Sequence, residues 1–342
     1  MKYRLMGRTG LYVSEVSLGA MTFGGSGPVW DMVGGLGLAD SRKVVDAALD
    51  GGVNLIDTAD VYGDGESEEQ LGEILKGRRD DVVLTTKGHA RSGPGPNDVG
   101  QSRTHLMRSL EGSLRRLQTD YIDVYMMHNF DHLTPFEETL RTLDDAVRQG
   151  KIRYIAAANH EAWQVSKALG VSGRLNLNGF AAIQSYYSLV GREAERDVLP
   201  MARNENVGVF VWAPLAAGFL TGKFSREASD ATGRRGAEGF PDFPPVDPER
   251  GYDILDVVRN VAERHDASIA QVSLAWVLAQ PGITSVTVGA RKPHQLTDNI
   301  GAVDLTLTEQ DLTELDEVSK LAPSYPNWIQ SGYYRAVRYP QQ

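Results

Sequence analysis

Short apolar runs rich in β-branched residues alternate with amphipathic segments along this chain, and polar or glycine-bearing turns separate them. The runs Val16–Leu18, Val53–Ile56, Val82–Thr85, Ile122–Met126, Ile152–Ala156, Gly179–Ile183, Val207–Trp212 and Ile283–Val288 read as strands. Between and after them, Ser41–Asp50, Glu68–Leu75, Gln101–Leu117, Pro135–Gln149, Glu161–Leu169, Glu193–Asn204, Tyr252–His265, Ile269–Ala279, Lys292–Ile300 and Glu309–Lys320 read as helices. In Gln101–Leu117 the leucines at 106, 110, 114 and 117 recur at spacings of four and three, which is one face of a helix. Gly51, Gly77, Gly150 and Gly170 are expected to close helices, because glycine enters the left-handed conformation of a C-terminal cap without a Cβ clash. Ahead of all this, Tyr3–Leu5 and Tyr12–Ser14 flank Gly7-Arg8-Thr9-Gly10 and predict a β-hairpin.

Strands alternating with helices at about one strand per 40 residues predict a (β/α)8 barrel of the TIM type, with the hairpin ahead of it and long loops at its C-terminal face. A doubly wound sheet is the structural alternative. Its dinucleotide fingerprint would come after the first strand, but Leu18-Gly19-Ala20-Met21-Thr22-Phe23-Gly24-Gly25 does not match G-x-G-x-x-G. Two stretches are irregular: Phe224 to Gly251, rich in Gly, Pro and charge, and a tail from Ala322 to Gln342 carrying Tyr325, Trp328, Tyr333, Tyr334 and Tyr339. No linker composition divides the chain, so residues 1–342 are expected to form one domain, with 323–342 as its tail.

Composition narrows the function. Net charge is −10, which argues against a nucleic-acid surface. Cysteine is absent, which removes disulfides and cysteine metal sites and fits a reducing, cytoplasmic location. No long apolar stretch opens the sequence as in a signal peptide, and Val207–Leu220, interrupted by Pro214 and Gly218, is too short for a bilayer. His160-Glu161 begins like a zinc-protease motif, but Gln164 stands where the second histidine belongs. No metal is expected.

The C-terminal ends of barrel strands carry the chemistry of such folds. Here they deliver Asp57 and Tyr62, then Lys87, His128, Asn159, Gln184, Trp212 and Gly289-Ala290-Arg291-Lys292 in turn. Each has an ordinary explanation alone. Asp57 could cap the helix near Ser67, a rim tyrosine could pack, a lysine after a strand is usually solvated, and Trp212 could be barrel packing. Taken together, they supply a hydroxyl acid, a cation to tune it, a carboxylate to hold the cation and an imidazole to aim a carbonyl.

The segment Asn54-Leu55-Ile56-Asp57-Thr58-Ala59-Asp60-Val61-Tyr62-Gly63, with Glu66-Ser67-Glu68 after it, resembles the first signature of the aldo-keto reductase superfamily. So do Gly150-Lys151-Ile152-Arg153-Tyr154-Ile155 leading to Asn159, Ala213-Pro214-Leu215-Ala216-Ala217-Gly218 with Thr221-Gly222-Lys223, and Val288-Gly289-Ala290-Arg291-Lys292-Pro293 with Gln295 and Asn299. The resemblance runs from about Tyr3 to Leu321, in the family's order, and is to its bacterial NADP-dependent members. It implies a barrel that binds NAD(P)H across its strand ends and moves hydride to or from a carbonyl or alcohol.

By the same resemblance, Tyr62 is the general acid, Lys87 tunes it, Asp57 holds Lys87, and His128 orients the carbonyl oxygen. A free phenol has a pKa of about 10, and a nearby ammonium favours its ionised form. Asn159 and Gln184 would hold the nicotinamide carboxamide and Trp212 would stack on the ring. Pro214 and Leu215 belong to the cofactor-binding loop after the seventh barrel strand, and Gly218, Leu220 and Lys223 fall at the pyrophosphate; Gly289, Arg291, Lys292, Gln295 and Asn299 fall at the adenosine end, with Arg291 and Lys292 favouring NADPH over NADH. The sequence departs from the family at Ala158, where serine is usual, and at His160, where an aromatic is common.

Phe23, Trp30 and Trp328 are aromatic candidates for a substrate rim and suggest a bulky cyclic ketone rather than a small aldehyde. The reading from another class is a cofactor-binding regulatory module acting mainly through a protein partner; a barrel isomerase or lyase using phosphate sites is a third. Substrate, direction and oligomeric state are not legible.

Overall fold

The computed structural model describes residues 1–226 and 242–331. The middle of the irregular Phe224–Gly251 region and the tail tyrosines Tyr333, Tyr334 and Tyr339 lie outside the described residues. Strands β1 (Tyr3–Leu5) and β2 (Tyr12–Ser14) pair antiparallel as the hairpin. Next come β3 (Val16–Gly19), β4 (Leu55–Asp57), β5 (Val83–Gly88), β6 (Ile122–Met127), β7 (Ile152–Ala158), β8 (Ala182–Tyr186), β9 (Gly208–Trp212) and β10 (Ile283–Val288). All eight pair in parallel, and β10 pairs β3 to close the barrel.

The helices are α1 (Pro28–Val33), α2 (Leu38–Asp50), α3 (Glu66–Ile74), α4 (Arg103–Arg116), α5 (Phe136–Arg148), α6 (Ala162–Leu175), α7 (Val198–Glu205), α8 (Pro248–Arg264), α9 (Ile269–Ala279), α10 (Pro293–Ile300), α11 (Glu309–Ser319) and α12 (Asn327–Ser331). No helix among the described residues is long and apolar enough to cross a membrane.

Several boundaries differ from the sequence reading, for identifiable reasons. Gly170 does not end a helix: α6 runs past it because Val171 and Ser172 extend the buried face begun by Val165 and Ala168. The helix closes instead at Asn176, which is left-handed (φ 52°). Glu193–Asn204 is not one helix but a single turn at Glu193–Glu195 and then α7. The chain is broken at Asp197 (φ −148°), and Pro200 is tolerated because it lies in the first turn of α7, where its missing N–H costs no helical bond. α8 begins earlier than expected, at Pro248, with Asp247 accepting a hydrogen bond from the Arg250 amide. β8 sits three residues beyond its apolar run, because pairing with β9 carries it through Gln184, Ser185 and Tyr186.

Two cores result. The larger lies between the strands and the surrounding helices. The smaller fills the barrel with alternate strand residues, among them Leu55, Val83, Val124, Met126, Ala156, Ala182 and Phe210, together with Met6 and Val13 of the hairpin segment. The hairpin thus closes the N-terminal end. Gly7 adopts φ +54°, and a Cβ there would fall 2.6 Å from the Gly208 nitrogen, so only glycine fits.

Candidate active site

Side chains alternate along a strand, so two residues beyond each inward apolar position comes another inward residue. Beyond Leu55 stands Asp57; beyond Met126, His128; beyond Ala182, Gln184; beyond Phe210, Trp212; Lys87 has the parity of Val83. The period that packs the barrel therefore gathers the candidate residues at its C-terminal mouth.

Lys87 is fully buried. Its Nζ donates to Asp57 Oδ2 at 2.7 Å and to the Thr58 carbonyl at 2.8 Å, and reaches the Tyr62 hydroxyl at 3.4 Å. Three donors meet three acceptors, as a buried ammonium requires. Gln184 donates to the other Asp57 oxygen at 3.1 Å, so Asp57 is held from both sides. Burial works to discharge Lys87, but Asp57 and the Tyr62 oxygen outweigh it and hold the ammonium above its usual range.

Burial raises the Tyr62 phenol above its usual value; the Lys87 charge pulls it back down, and Asp57 and Asp60 oppose Lys87. The tuning expected from Lys87 is present in direction, but desolvation outweighs it. Tyr62 itself precedes a left-handed pair, Gly63 (φ 58°) and Asp64 (φ 55°), a costly turn of the sort that clusters at functional sites.

His128 meets the Tyr62 ring edge-on, with centroids 5.8 Å apart. Burial, then Lys87 and His89, hold its imidazole down to about 3, so it is neutral at pH 7 with one nitrogen donating and one accepting. Its Nδ1 is buried and has no hydrogen-bond partner among the described residues.

Asn159 is left-handed (φ 57°), a conformation asparagine tolerates. Its Nδ2 donates to the His128 carbonyl at 3.0 Å, and its Oδ1 accepts from Trp212 Nε1 at 3.0 Å. Trp212 is flanked by Tyr186 (5.1 Å, tilted) and stacked by Phe243 (5.6 Å, 15°). The loop after Trp212 holds left-handed Ala213, Ala216 and Ala217, an unusual density for residues bearing a Cβ, followed by left-handed Gly218. Pro214 and Leu220 are buried there, Leu215 is half-buried, and Lys223 is exposed. A Cβ at Gly218 would meet nothing within 4 Å, so this strained loop opens onto free space.

At the far end, Gly289, Arg291 and Lys292 are exposed and Asn299 is buried in α10. Gln295 Oε1 accepts from the Arg291 and Lys292 amides, and Arg291 donates to the Met32 carbonyl at 2.7 Å, one of its five donors. Exposed cations, an open strained loop and a half-buried tryptophan beside an amide together suit an extended anionic cofactor with a flat ring.

The aromatic rim is rearranged from expectation. Phe23 is fully buried in the outer core and offers no surface to a ligand. Trp30, in α1, donates to Asp64 Oδ2 at 3.3 Å and so stands beside the Tyr62 turn. Trp328 is exposed and touches Tyr325. Its neighbour Asn327 donates to the Arg196 carbonyl, which ties the tail to the turn before α7. The sequence reading missed Phe243 and Tyr186 beside Trp212, Thr58 as an acceptor for Lys87, and the buried Glu68. Glu68 accepts from Thr86 at 2.5 Å and from Arg116 at 2.8 Å. Only the Glu66-Ser67-Glu68 motif pointed toward it.

Residues 15–320 match the Aldo/keto reductase family. The chain is 36% identical over 333 residues to an uncharacterized oxidoreductase, YrpG, of Bacillus subtilis, covering 93% of this chain and 96% of that protein. It is 34% identical over 339 residues to a probable voltage-gated potassium channel subunit beta of Arabidopsis thaliana, covering 95% and 99%. It is 32% identical over 354 residues to versiconal hemiacetal acetate reductase of Aspergillus parasiticus, covering 97% and 99%. With the closed barrel and the strand-end residues in register, the chain belongs to the aldo/keto reductase family.

Proposed function

We propose that this protein is an NADP(H)-dependent oxidoreductase that interconverts a carbonyl and an alcohol, with Tyr62 as the proton donor in reduction. The observation that carries the reading is the fully buried Lys87, which bonds Asp57 and reaches the Tyr62 hydroxyl beside a neutral His128. The nicotinamide, when bound, supplies or accepts the hydride. Asn159 and Gln184 would hold its amide and Trp212 its ring, the 213–223 loop its phosphates, and Arg291 and Lys292 its adenosine end. Exposed Arg291 and Lys292 favour the 2′-phosphate of NADPH.

The protein's own work is acid–base chemistry. A carbonyl oxygen at the mouth accepts hydrogen bonds from the Tyr62 hydroxyl and from the neutral His128 ring, which fixes its orientation. As negative charge develops there, the Tyr62 proton moves to it, and Lys87 stabilises the phenolate left behind. Asp57, fixed by Gln184, keeps Lys87 in place.

We further propose one domain, a cytoplasmic location, and a bulky cyclic ketone as the preferred substrate class. A second reading rests on the relatives named as channel β subunits: a cofactor-binding module that acts on a protein partner. The same experiment separates the two. NADPH oxidation is followed across aldehydes, sugars, quinones and cyclic ketones, for wild type and Tyr62→Phe. The reductase reading expects at least one substrate to turn over, and the variant to lose ~10²–10⁴-fold in turnover with NADPH affinity nearly unchanged. A wild type that binds NADPH tightly and reduces none of the panel favours the module.

A further inference from the structure

Behind the site lies a second polar cluster that the proposed chemistry does not use. Asp60 sits between Asp57 and Tyr62 on one loop but turns the other way, toward α4. Its Oδ2 accepts from Ser109 Oγ at 2.6 Å, and Ser109 Oγ accepts from the Tyr125 hydroxyl at 3.3 Å. Tyr125 is fully buried on β6. Its hydroxyl lies against Gly88, where a Cβ would come within 2.1 Å of it, so glycine is required directly after Lys87. The backbone completes the frame. The Asp60 amide donates to the Lys87 carbonyl at 3.1 Å, and the His128 amide donates to the Gly88 carbonyl at 3.0 Å.

The chain Tyr125–Ser109–Asp60 therefore straps the Tyr62 loop to the backs of β5 and β6, the strands that present Lys87 and His128. Asp60 Oδ1 is cut off from solvent and has no hydrogen-bond partner among the described residues.

We infer that Asp60 is a positioning residue for Tyr62 and Lys87, and that its charge state sets the field at the Tyr62 hydroxyl. The functional half of this inference rests on the reductase reading; the charge half does not. The groups facing Asp60 are Glu68 from α3, Arg116 and Ser109 from α4, Lys87 from β5, Tyr125 from β6 and Tyr62 from its own loop. Burial raises the Asp60 carboxyl to about 7, with Glu68 adding to the rise and the Ser109 hydrogen bond, Arg116 and Lys87 opposing it. In turn, ionised Asp60 raises the Tyr62 phenol.

Below neutrality Asp60 is protonated and Tyr62 gives up its proton more readily; above it the carboxylate holds that proton back. Reduction should slow as pH rises through about 7, by roughly two- to fivefold, the effect of a modest change in the acid strength of the phenol.

Two variants of the full chain test this, Asp60→Asn and Ser109→Ala, each with two readouts: the pH profile of turnover and the carboxyl band in infrared difference spectra. Wild type should show a protonated carboxyl that titrates near neutrality. Asp60→Asn should lose that band and the matching inflection in turnover. Ser109→Ala removes a hydrogen bond that stabilises the ionised form, so it should move both to higher pH, and it serves if Asp60→Asn fails to fold. A band that persists in Asp60→Asn, or an inflection that neither variant moves, overturns the inference. A wild type that reduces nothing defeats the reductase reading but leaves the infrared titration and its Ser109→Ala shift as the test of the charge.

Discussion

At the hairpin end of the barrel the inward residues are apolar: Leu55, Val83, Ala182 and Phe210, sealed by Met6 and Val13. Two residues further along, the same strands carry Asp57, Gln184 and Trp212, and β5 reaches Lys87. The geometry is the same at both ends. At one end packing fills the space; at the other a buried ion pair stands where more packing would be cheaper to fold. A buried pair is weak evidence for stability, since apolar residues of the same shape often do as well or better. At the base the Arg4–Glu15 pair keeps its arginine partly exposed; the fully buried Lys87 marks the mouth as the part kept for chemistry.

The sharpest way to break this contrast is Lys87→Met. It leaves Asp57 buried without its cation, so a loss of ~3–5 kcal/mol in unfolding free energy is expected, and turnover should fall at least as far as in Tyr62→Phe. Denaturant unfolding and steady-state kinetics check both; a stable, active variant would mean that Lys87 and Asp57 are not a working pair. At the base, Phe210→Ala should cost ~3–5 kcal/mol of stability, while kcat and KM at low temperature stay near wild type. A large kinetic effect from Phe210→Ala would erase the division between the two ends.

Arg291→Ala sharpens the contrast at the outer edge of the mouth. A charge-assisted bond contributes ~1.5–3 kcal/mol, so NADPH binding should weaken roughly ten- to a hundredfold and NADH binding much less. Equal losses in a fluorescence titration would show that Arg291 does not read the phosphate. A further test is acid sensitivity from His128. Its imidazole is depressed in the folded state, so it favours folding above 6.5 and loses that contribution as pH falls toward about 3. Between those values the wild type should bind up to about one more proton on unfolding than His128→Asn does. Superimposable acid-unfolding slopes for the two proteins would refute the depressed imidazole.

The same contrast explains how far the sequence could be read. Strand starts were legible at β3, β6, β7 and β10, which begin where the apolar run does, and were placed two to three residues early at β4 and β8. C-terminal ends were not legible: β5 continues through Thr86-Lys87-Gly88 and β8 through Gln184-Ser185-Tyr186, where inward residues turn polar and the apolar period stops reporting the strand. Asp57, Tyr62, Lys87 and His128 were legible as strand-end residues, and the structure brings them together. Gln184 was legible as a strand-end residue too, and its side-chain amide bonds Asp57. The Asp60–Ser109–Tyr125 strap was illegible, because its three members come from a loop, a helix and a strand far apart in sequence. The only hint was a serine at 109 on the leucine face of α4. Gly170 misled because a glycine on an exposed helix face looks like a stop when its neighbours' burial is unknown.

The hairpin that seals the base has a consequence for how the protein is made. Arg4, on β1, donates to the carbonyls of Leu278 and Ile283, the former 274 residues later in the chain, and Gly7 seats against Gly208. A ribosome adding ~5–20 residues per second needs roughly 14–55 s to cover that interval. Throughout it Arg4 lacks these partners, although the residues that cover Met6 and Val13, Leu55 to Phe210, are made earlier. The hairpin thus docks fully only when the last barrel strand is made, as does β3, which pairs with β10.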